Sequence, residues 1–468
     1  MTHPMKISEL LQEIASFIEN SQTLSFLTQV DRFSHAAVTP SLFRTIHIRL
    51  DRLDSLALAL RNKPERAASC RSLTLSGTPK KGGTTLESVR QTLHLDLITL
   101  FRAISVHGVL TSLRWRSPRG VKLSEEVWAA ISSALGSLHE LDMYIPSADE
   151  QFWGALTSTR FTRLRILRLD LMCAHEWDCG HLQSLLDNLG HLEELCLLFP
   201  LCCDPIGLTL GSTYPHLKQF SFTSSQFAPQ PDFLTRHPGL ESLSLATEHQ
   251  FCWGTYASSP TMLRALNVDT YSLCCSPTFV DFQIIHLRLR QIDEFMDDFV
   301  VDAVRALSQT LRYLELDILD VLIPDYVIPL LQTTHSLDEL AINHHRWPSL
   351  MPPTLASDLL TATITIVDSS PLRALRFYCP QALPQERLLD LGRLPPQLKY
   401  IGWDLNTPLE ILDFPPDMEP DAELPSSLVY VIEKRDDKNV VAKTLTKSST
   451  DDWTTGGILH FMGESWTP

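Results

Sequence analysis

Apolar residues along most of this chain recur in one hexapeptide, apolar-x-x-apolar-x-apolar. It first fits "FRTIHI" from Phe43, then "CRSLTL" from Cys70, "LTSLRW" from Leu110, "LHELDM" from Leu138 and "LRILRL" from Leu164. It continues with "LEELCL" from Leu192, "LKQFSF" from Leu217, "LESLSL" from Leu240, "LRALNV" from Leu263, "IIHLRL" from Ile284 and "LRYLEL" from Leu311. The last three are "LDELAI" from Leu337, "LRALRF" from Leu372 and "LKYIGW" from Leu398. Fourteen matches between Phe43 and Leu398 give a period of about 27 residues. That regularity exceeds chance even in a chain where 78 of 468 residues are leucine.

In x-L-x-L-x the two L side chains face one side of a strand and the three x side chains the other. Between some of these strands the apolar spacing turns helical, as at Leu53, Leu56 and Leu60, and at Leu182, Leu185, Leu186 and Leu189. One short strand plus one helix cannot bury its apolar side alone, so the repeats must stack, strand beside parallel strand. Helices take more room than strands, which predicts a curved sheet with its strands on the concave side. The expected fold class is an α/β solenoid over residues 43–405.

The two ends break the pattern. Residues 1–42 read as a helical module: Ile7, Leu10, Leu11, Ile14, Phe17 and Ile18 share one helical face. Asn20 or Ser21 can cap a second helix, whose Phe26, Val30, Phe33 and Ala37 share a face until Thr39-Pro40 interrupts it. Residues 406–426 are an expected linker, since Glu410–Glu423 holds six acidic residues, no basic ones and three prolines. Residues 427–468 are an expected closing segment, with "SLVYVIEK" from Ser427 as one more strand.

Charge narrows the partners. With 39 basic against 55 acidic residues the chain carries a formal −16, which argues against nucleic acid or an anionic membrane as the main partner. No uncharged apolar run approaches the ~20 residues that span a bilayer, and no secretory signal is visible. The ten scattered cysteines then read as reduced thiols of an intracellular protein, in cytoplasm or nucleus.

The sequence contains no C-x-x-C, P-loop, G-x-G or H-E-x-x-H. Cys173, His175, Cys179 and His181 have metal-ligand residue types, but their spacing matches no standard zinc loop. No metal, no cofactor and no enzymatic activity are expected. Interest shifts to the x positions of the strands, where charges of both signs and tyrosines dominate. Arg114 and Arg116 stand on one strand, with Asp142 and Arg168 at aligned positions beyond them. Farther along, His286, Arg288 and Arg290, with Tyr313 on the next strand, form a basic patch that only Glu315 and Asp317 beside it can neutralise. Arg114, Arg116, His286, Arg288, Arg290 and Tyr313 are therefore the candidate substrate-binding residues, and the patch of His286, Arg288, Arg290 and Tyr313 suits an acidic or phosphorylated segment.

The stretch "ELLQEIASFIENSQTLSFLTQVDRFSHAAVTPSLFRTIHI" resembles the F-box, through Glu9-Leu10-Leu11, Ile14, Phe17-Ile18, Leu24, Leu27, Val30, Arg32-Phe33 and Leu42-Phe43-Arg44. Its run into the repeats is similar to F-box/leucine-rich-repeat proteins, especially the divergent fungal ones, in which the repeats form a horseshoe. The resemblance implies a substrate receptor of a Skp–cullin–F-box ubiquitin ligase, with a protein substrate held on the concave repeat face. It implies a Skp-type adaptor and a cullin as partners, the adaptor docking on Leu10, Leu11, Ile14, Phe17, Ile18 and Leu24. The competing expectation is a leucine-rich-repeat scaffold or inhibitor whose N-terminal helices merely cap the first repeat.

Overall fold

The last four residues of each of the fourteen hexapeptides lie on a β-strand. The structure, a computed structural model, describes residues 4–18, 21–77, 86–116, 122–145, 149–171, 177–200, 205–224, 232–246, 262–269, 282–292, 298–318, 334, 336–344, 372–378, 397–404, 428–435 and 438–446. The chain divides into two units, Met1–Gly239 and Leu240–Pro468.

The first unit opens with three helices, α1 (Pro4–Ser16), α2 (Ser21–Val30) and α3 (Arg32–Leu42). Its strands are β1 (Thr45–Arg49), β2 (Ser72–Ser76), β3 (Ser112–Arg116), β4 (Glu140–Ile145), β5 (Ile166–Leu171), β6 (Trp177–Asp178), β7 (Glu194–Leu198), β8 (Pro205–Ile206) and β9 (Gln219–Thr223). Seven of them lie in the order β1-β2-β3-β4-β5-β7-β9, each neighbouring pair parallel, while β6 and β8 pair with each other. Between the strands run α4 (Leu53–Asn62), α5 (Pro64–Ser69), α6 (Leu86–His107), α7 (Glu125–Leu135), α8 (Glu150–Ser158), α9 (Gly180–Asp187) and α10 (Phe233–Arg236).

Strand register turns the repeat into continuous apolar rows. Leu73, Leu113, Leu141, Leu167, Leu195 and Phe220 are Cα partners strand to strand, and all are buried. Leu75, Trp115, Met143, Leu169, Leu197 and Phe222 make a second buried row beside them. The helices bury their apolar stripes as the spacing requires, Leu53, Leu56 and Leu60 on α4 and Leu182, Leu185 and Leu186 on α9. Aromatic rings continue the core from Phe101 through Trp115, Trp128 and Phe152 to Trp153, with successive centroids 6.3, 5.8, 5.1 and 4.7 Å apart. A repeating backbone bond locks the register. The Arg71 carbonyl accepts the N–H groups of both Thr111 and Ser112, and the carbonyls of Thr111, His139, Arg165 and Glu193 each do the same one repeat later.

The second unit repeats this design. Its repeat strands are β10 (Ser242–Ala246), β11 (Ala265–Asp269), β12 (His286–Ile292), β13 (Tyr313–Ile318), β14 (Glu339–His344), β15 (Ala374–Tyr378) and β16 (Tyr400–Asp404), each successive pair parallel. Helix α11 (Asp298–Ala306) precedes β13. Leu243, Leu266, Leu287, Leu314, Leu340, Leu375 and Ile401 form the buried row.

Three local expectations are corrected. The second N-terminal helix is two helices, because the Asp31 carboxylate accepts the Ser34 N–H at 2.7 Å and starts α3 as an N-cap. Pro40 does not interrupt α3: it sits in the last turn, where Phe43 N–H still reaches the Thr39 carbonyl at 3.1 Å. The strand expected after Ser427 forms as β17 (Leu428–Arg435), but it runs antiparallel to β16 and turns into β18 (Lys438–Thr446), also antiparallel, so it is a hairpin rather than another repeat. The acidic stretch Glu410–Glu423 lies outside the described residues. Among the described residues no helix is long and apolar enough to cross a membrane.

Candidate functional site

Three surfaces bear chemistry. The first is the N-terminal module. Ala15, Leu24 and Val38 make its core, with Ile18, Leu27 and Leu42 packed partly against it. With that core filled, Leu10, Ile14 and Phe17 remain exposed at 55%, 47% and 78%, and Phe26, Val30 and Phe33 are exposed as well. Leu10, Ile14 and Phe17 recur at i, i+4 and i+7, so they line one side of α1 and its final turn. Of the six residues expected to meet an adaptor, these three are open, Leu11 and Ile18 are half-buried, and Leu24 is buried in the module's own core. Leu24 is thus corrected from a docking to a packing residue. The shared face of Phe26, Val30 and Phe33 is thus an outward one; helical recurrence signals an apolar face but not which way it looks.

The second surface is the polar face of the first unit's sheet. Arg114, Asp142 and Arg168 are aligned in register, yet the ion pairs run diagonally. Arg114 Nε and Nη2 donate to Glu140 Oε1 at 3.0 and 2.8 Å, and Ser112 Oγ donates to Glu140 Oε2 at 2.9 Å. Arg168 Nε and Nη2 donate to the two oxygens of Glu194 at 2.5 and 2.9 Å, while Nη1 reaches Glu140 at 3.3 Å. Asp142, one methylene shorter than these glutamates, is left 4.0 Å from Arg168. Burial pushes the Asp142 carboxyl above the usual range, against the pull of Arg116, Arg168 and Arg114. Arg114 and Arg116 are both exposed.

The third is the polar face of β12–β15, and here the expectation of an open basic patch fails. His286, Arg288, Arg290 and Tyr313 are all buried, Arg288 at 6% exposure and Arg290 at 5%. Arg288 Nε and Nη2 donate to Asp317 Oδ2 at 3.2 and 3.1 Å, and Nε lies 3.3 Å from Glu315 Oε1. Tyr313 OH donates to Glu315 Oε2 at 2.8 Å, Asn343 Nδ2 donates to both Glu315 and Asp317, and Arg376 Nη2 stands 3.9 Å from Glu315. Arg290 Nε turns the other way, to Asn267 Oδ1 at 2.8 Å. Burial would raise the Glu315 carboxyl, but Arg288 and Arg376 outweigh it and hold the group below its ordinary range. The His286 ring meets Tyr313 edge-on at 4.1 Å, and desolvation pulls its pKa down to about 4. Charges buried this deeply persist only when paired, and the pairing neutralises the patch.

Among the described residues no group of three or more His, Cys, Asp or Glu could hold a metal ion. Cys173 and His175 lie outside the described residues, Cys179 is buried at the start of α9 and His181 is exposed. Neither a protein-family model nor a curated protein matches the chain.

Proposed function

We propose that the chain is the substrate-recruiting receptor of a Skp–cullin–F-box ubiquitin ligase, an F-box-type module followed by a leucine-rich-repeat horseshoe. The observation that carries this reading is the row Leu10, Ile14 and Phe17, apolar and exposed on a three-helix module whose core is already filled. Exposed apolar side chains concentrated in one short segment are a cost to a free chain and mark a docking surface. In this reading the Skp-type adaptor covers them, the cullin follows through the adaptor, and the repeat face holds a protein substrate. The chain makes and breaks no bond; its contribution is to bring substrate and ubiquitin carrier together.

An affinity pull-down of the tagged full chain tests this. Adaptor and cullin should co-purify with the wild type and be lost with Leu10→Asp, Ile14→Asp and Phe17→Asp combined. These side chains are exposed, so the triple variant should unfold no earlier than the wild type. Absence of the adaptor from the wild-type eluate would sink the proposal. The scaffold reading has one observation in its favour, the Arg66 guanidinium of α5 lying 4.8 Å over the Phe43 ring at the end of α3. It predicts the opposite result, an unfolded first repeat and no change of partner.

A further inference from the structure

We infer that the edge of the first unit at which β1, β2 and β3 end docks on an anionic bilayer, a surface bearing phosphatidylserine. The inference goes beyond the proposed function and does not depend on it. The formal −16 of the whole chain hides a division of charge within this unit. Residues 44–122 hold fifteen lysines and arginines against five aspartates and glutamates, whereas residues 123–239 hold six against fourteen.

The topology gathers that charge. Parallel strands in register send each following connection out at the same edge of the sheet. Residues 49–52, 76–85 and 116–124, which carry the chain from the ends of β1, β2 and β3 to the next helix, hold seven basic residues and one acidic one. Their counterparts after β4, β5 and β7, residues 145–149, 171–176 and 198–204, hold no lysine or arginine and three acidic residues. The edge therefore changes sign between β3 and β4. Arg49, Arg52, Arg116 and Lys122 are all exposed. Arg49 lies 3.6 Å from Asp51 and Lys122 3.4 Å from Asp149, pairs open enough to water to be exchanged for another anion at little cost. Three strands span about 10 Å, close to the Debye length of about 8 Å at physiological salt, so the fields of these cations add.

Apolar exposure coincides with the positive charge. Beyond the N-terminal module, every large apolar side chain described as exposed in the first unit lies in this same stretch: Leu58, Leu95, Val106 and Val109. Leu95, Arg102 and Val106 recur at i, i+7 and i+11, one outward stripe of α6, and α6 is 22 residues long where α4, α7, α8 and α9 have 8 to 11. Both aromatic rings of residues 44–122, Phe101 and Trp115, are buried, so the bases of a single-stranded nucleic acid would find nothing here to stack on. Exposed aliphatic side chains beside a cluster of lysines and arginines suit an anionic bilayer instead, which rewards charge and apolar contact without requiring a matching shape. Repulsion of the acidic edge from β4 onward turns the β1–β3 end of the unit toward the lipid.

The test is co-sedimentation of the purified full chain with vesicles of phosphatidylcholine alone and of phosphatidylcholine with about 30% phosphatidylserine, at about 0.1 M and about 0.5 M salt. The phosphatidylserine vesicles should bind at least tenfold tighter at low salt, and high salt should remove most of that binding. Arg52→Glu with Arg116→Glu should weaken it at least tenfold. Arg160→Glu with Arg163→Glu, an equal charge change at exposed positions between α8 and β5, should shift it less than threefold. Circular dichroism of both double variants controls for folding. Equal binding of the two vesicles, equal loss in both variants, or tighter binding of a labelled RNA through Arg52 and Arg116 would each overturn the inference. Failure here with adaptor still co-purifying would strike this inference alone and leave the proposed function standing.

Discussion

Truncating Arg288 to alanine should cost the second unit about 3–5 kcal/mol, the range for breaking a buried ion pair by removing one partner. The figure follows from the surroundings of the guanidinium. Its partners Glu315 and Asp317 are 2% and 0% exposed, so water cannot replace it. At an effective dielectric near 20, charges about 4 Å apart attract by about 4 kcal/mol. In the wild type desolvation of the charges offsets much of that attraction; in the variant the carboxylates stay buried and the attraction is gone. The effect must also depend on pH. The wild-type Glu315 carboxyl is held below its ordinary range, so its contribution is present above the ordinary carboxylate pKa and is lost as pH falls. Without Arg288, burial dominates and raises that carboxyl, so acidification should now favour the folded variant. Urea unfolding, followed through tryptophan fluorescence including buried Trp403, at pH 7 and at pH 5 measures both effects. A loss under 1 kcal/mol, equal at the two pH values, would mean that Arg288 stands in solvent and that the network account is wrong.

Leu167→Ala, in the middle of the first unit's buried row, should lower stability by about 2–5 kcal/mol with no change in partner binding, as read by the urea midpoint. Asp31→Ala removes the N-cap of α3 and should destabilise the N-terminal module, visible as an earlier loss of helical circular dichroism. His286 is buried neutral with its pKa lowered to about 4. Its contribution is complete above the unfolded value near 6.5 and declines as pH falls, by about 3 kcal/mol on reaching pH 4. His286→Gln should lack that slope, so the difference between the wild-type and variant stability–pH curves should show it; a flat difference would contradict the burial of His286.

The apolar rows were legible in the sequence because strand alternation has a period of two, and a spacing repeated fourteen times leaves no freedom of register. The burial of the opposite face of β12–β16 was not, since alternation by itself separates two faces without saying which of them meets water. A signal was present in small residues. Ala341 and Gly402 flank Arg376 in register, and Ala374 lies between Glu339 and Tyr400, an unusual choice for an open binding surface. The antiparallel direction of β17 has no counterpart in its alternating pattern, which reads the same in either direction. In the N-terminal module Leu10 and Leu24 are equally apolar and equally periodic; only the packing of α1 and α2 on α3 decides that Leu24 fills the core and Leu10 faces outward. The break at Asp31 was hidden for a similar reason: the apolar recurrence from Phe26 to Ala37 carries through the cap without interruption.

The most direct test of the account is a calorimetric titration of the purified full chain with a purified Skp-type adaptor. The account predicts saturable one-to-one binding, with the negative heat-capacity change of buried apolar surface, reduced at least a hundredfold by the combined Leu10→Asp, Ile14→Asp and Phe17→Asp changes. No heat of binding with the wild type, or equal affinity for the folded triple variant, would contradict it.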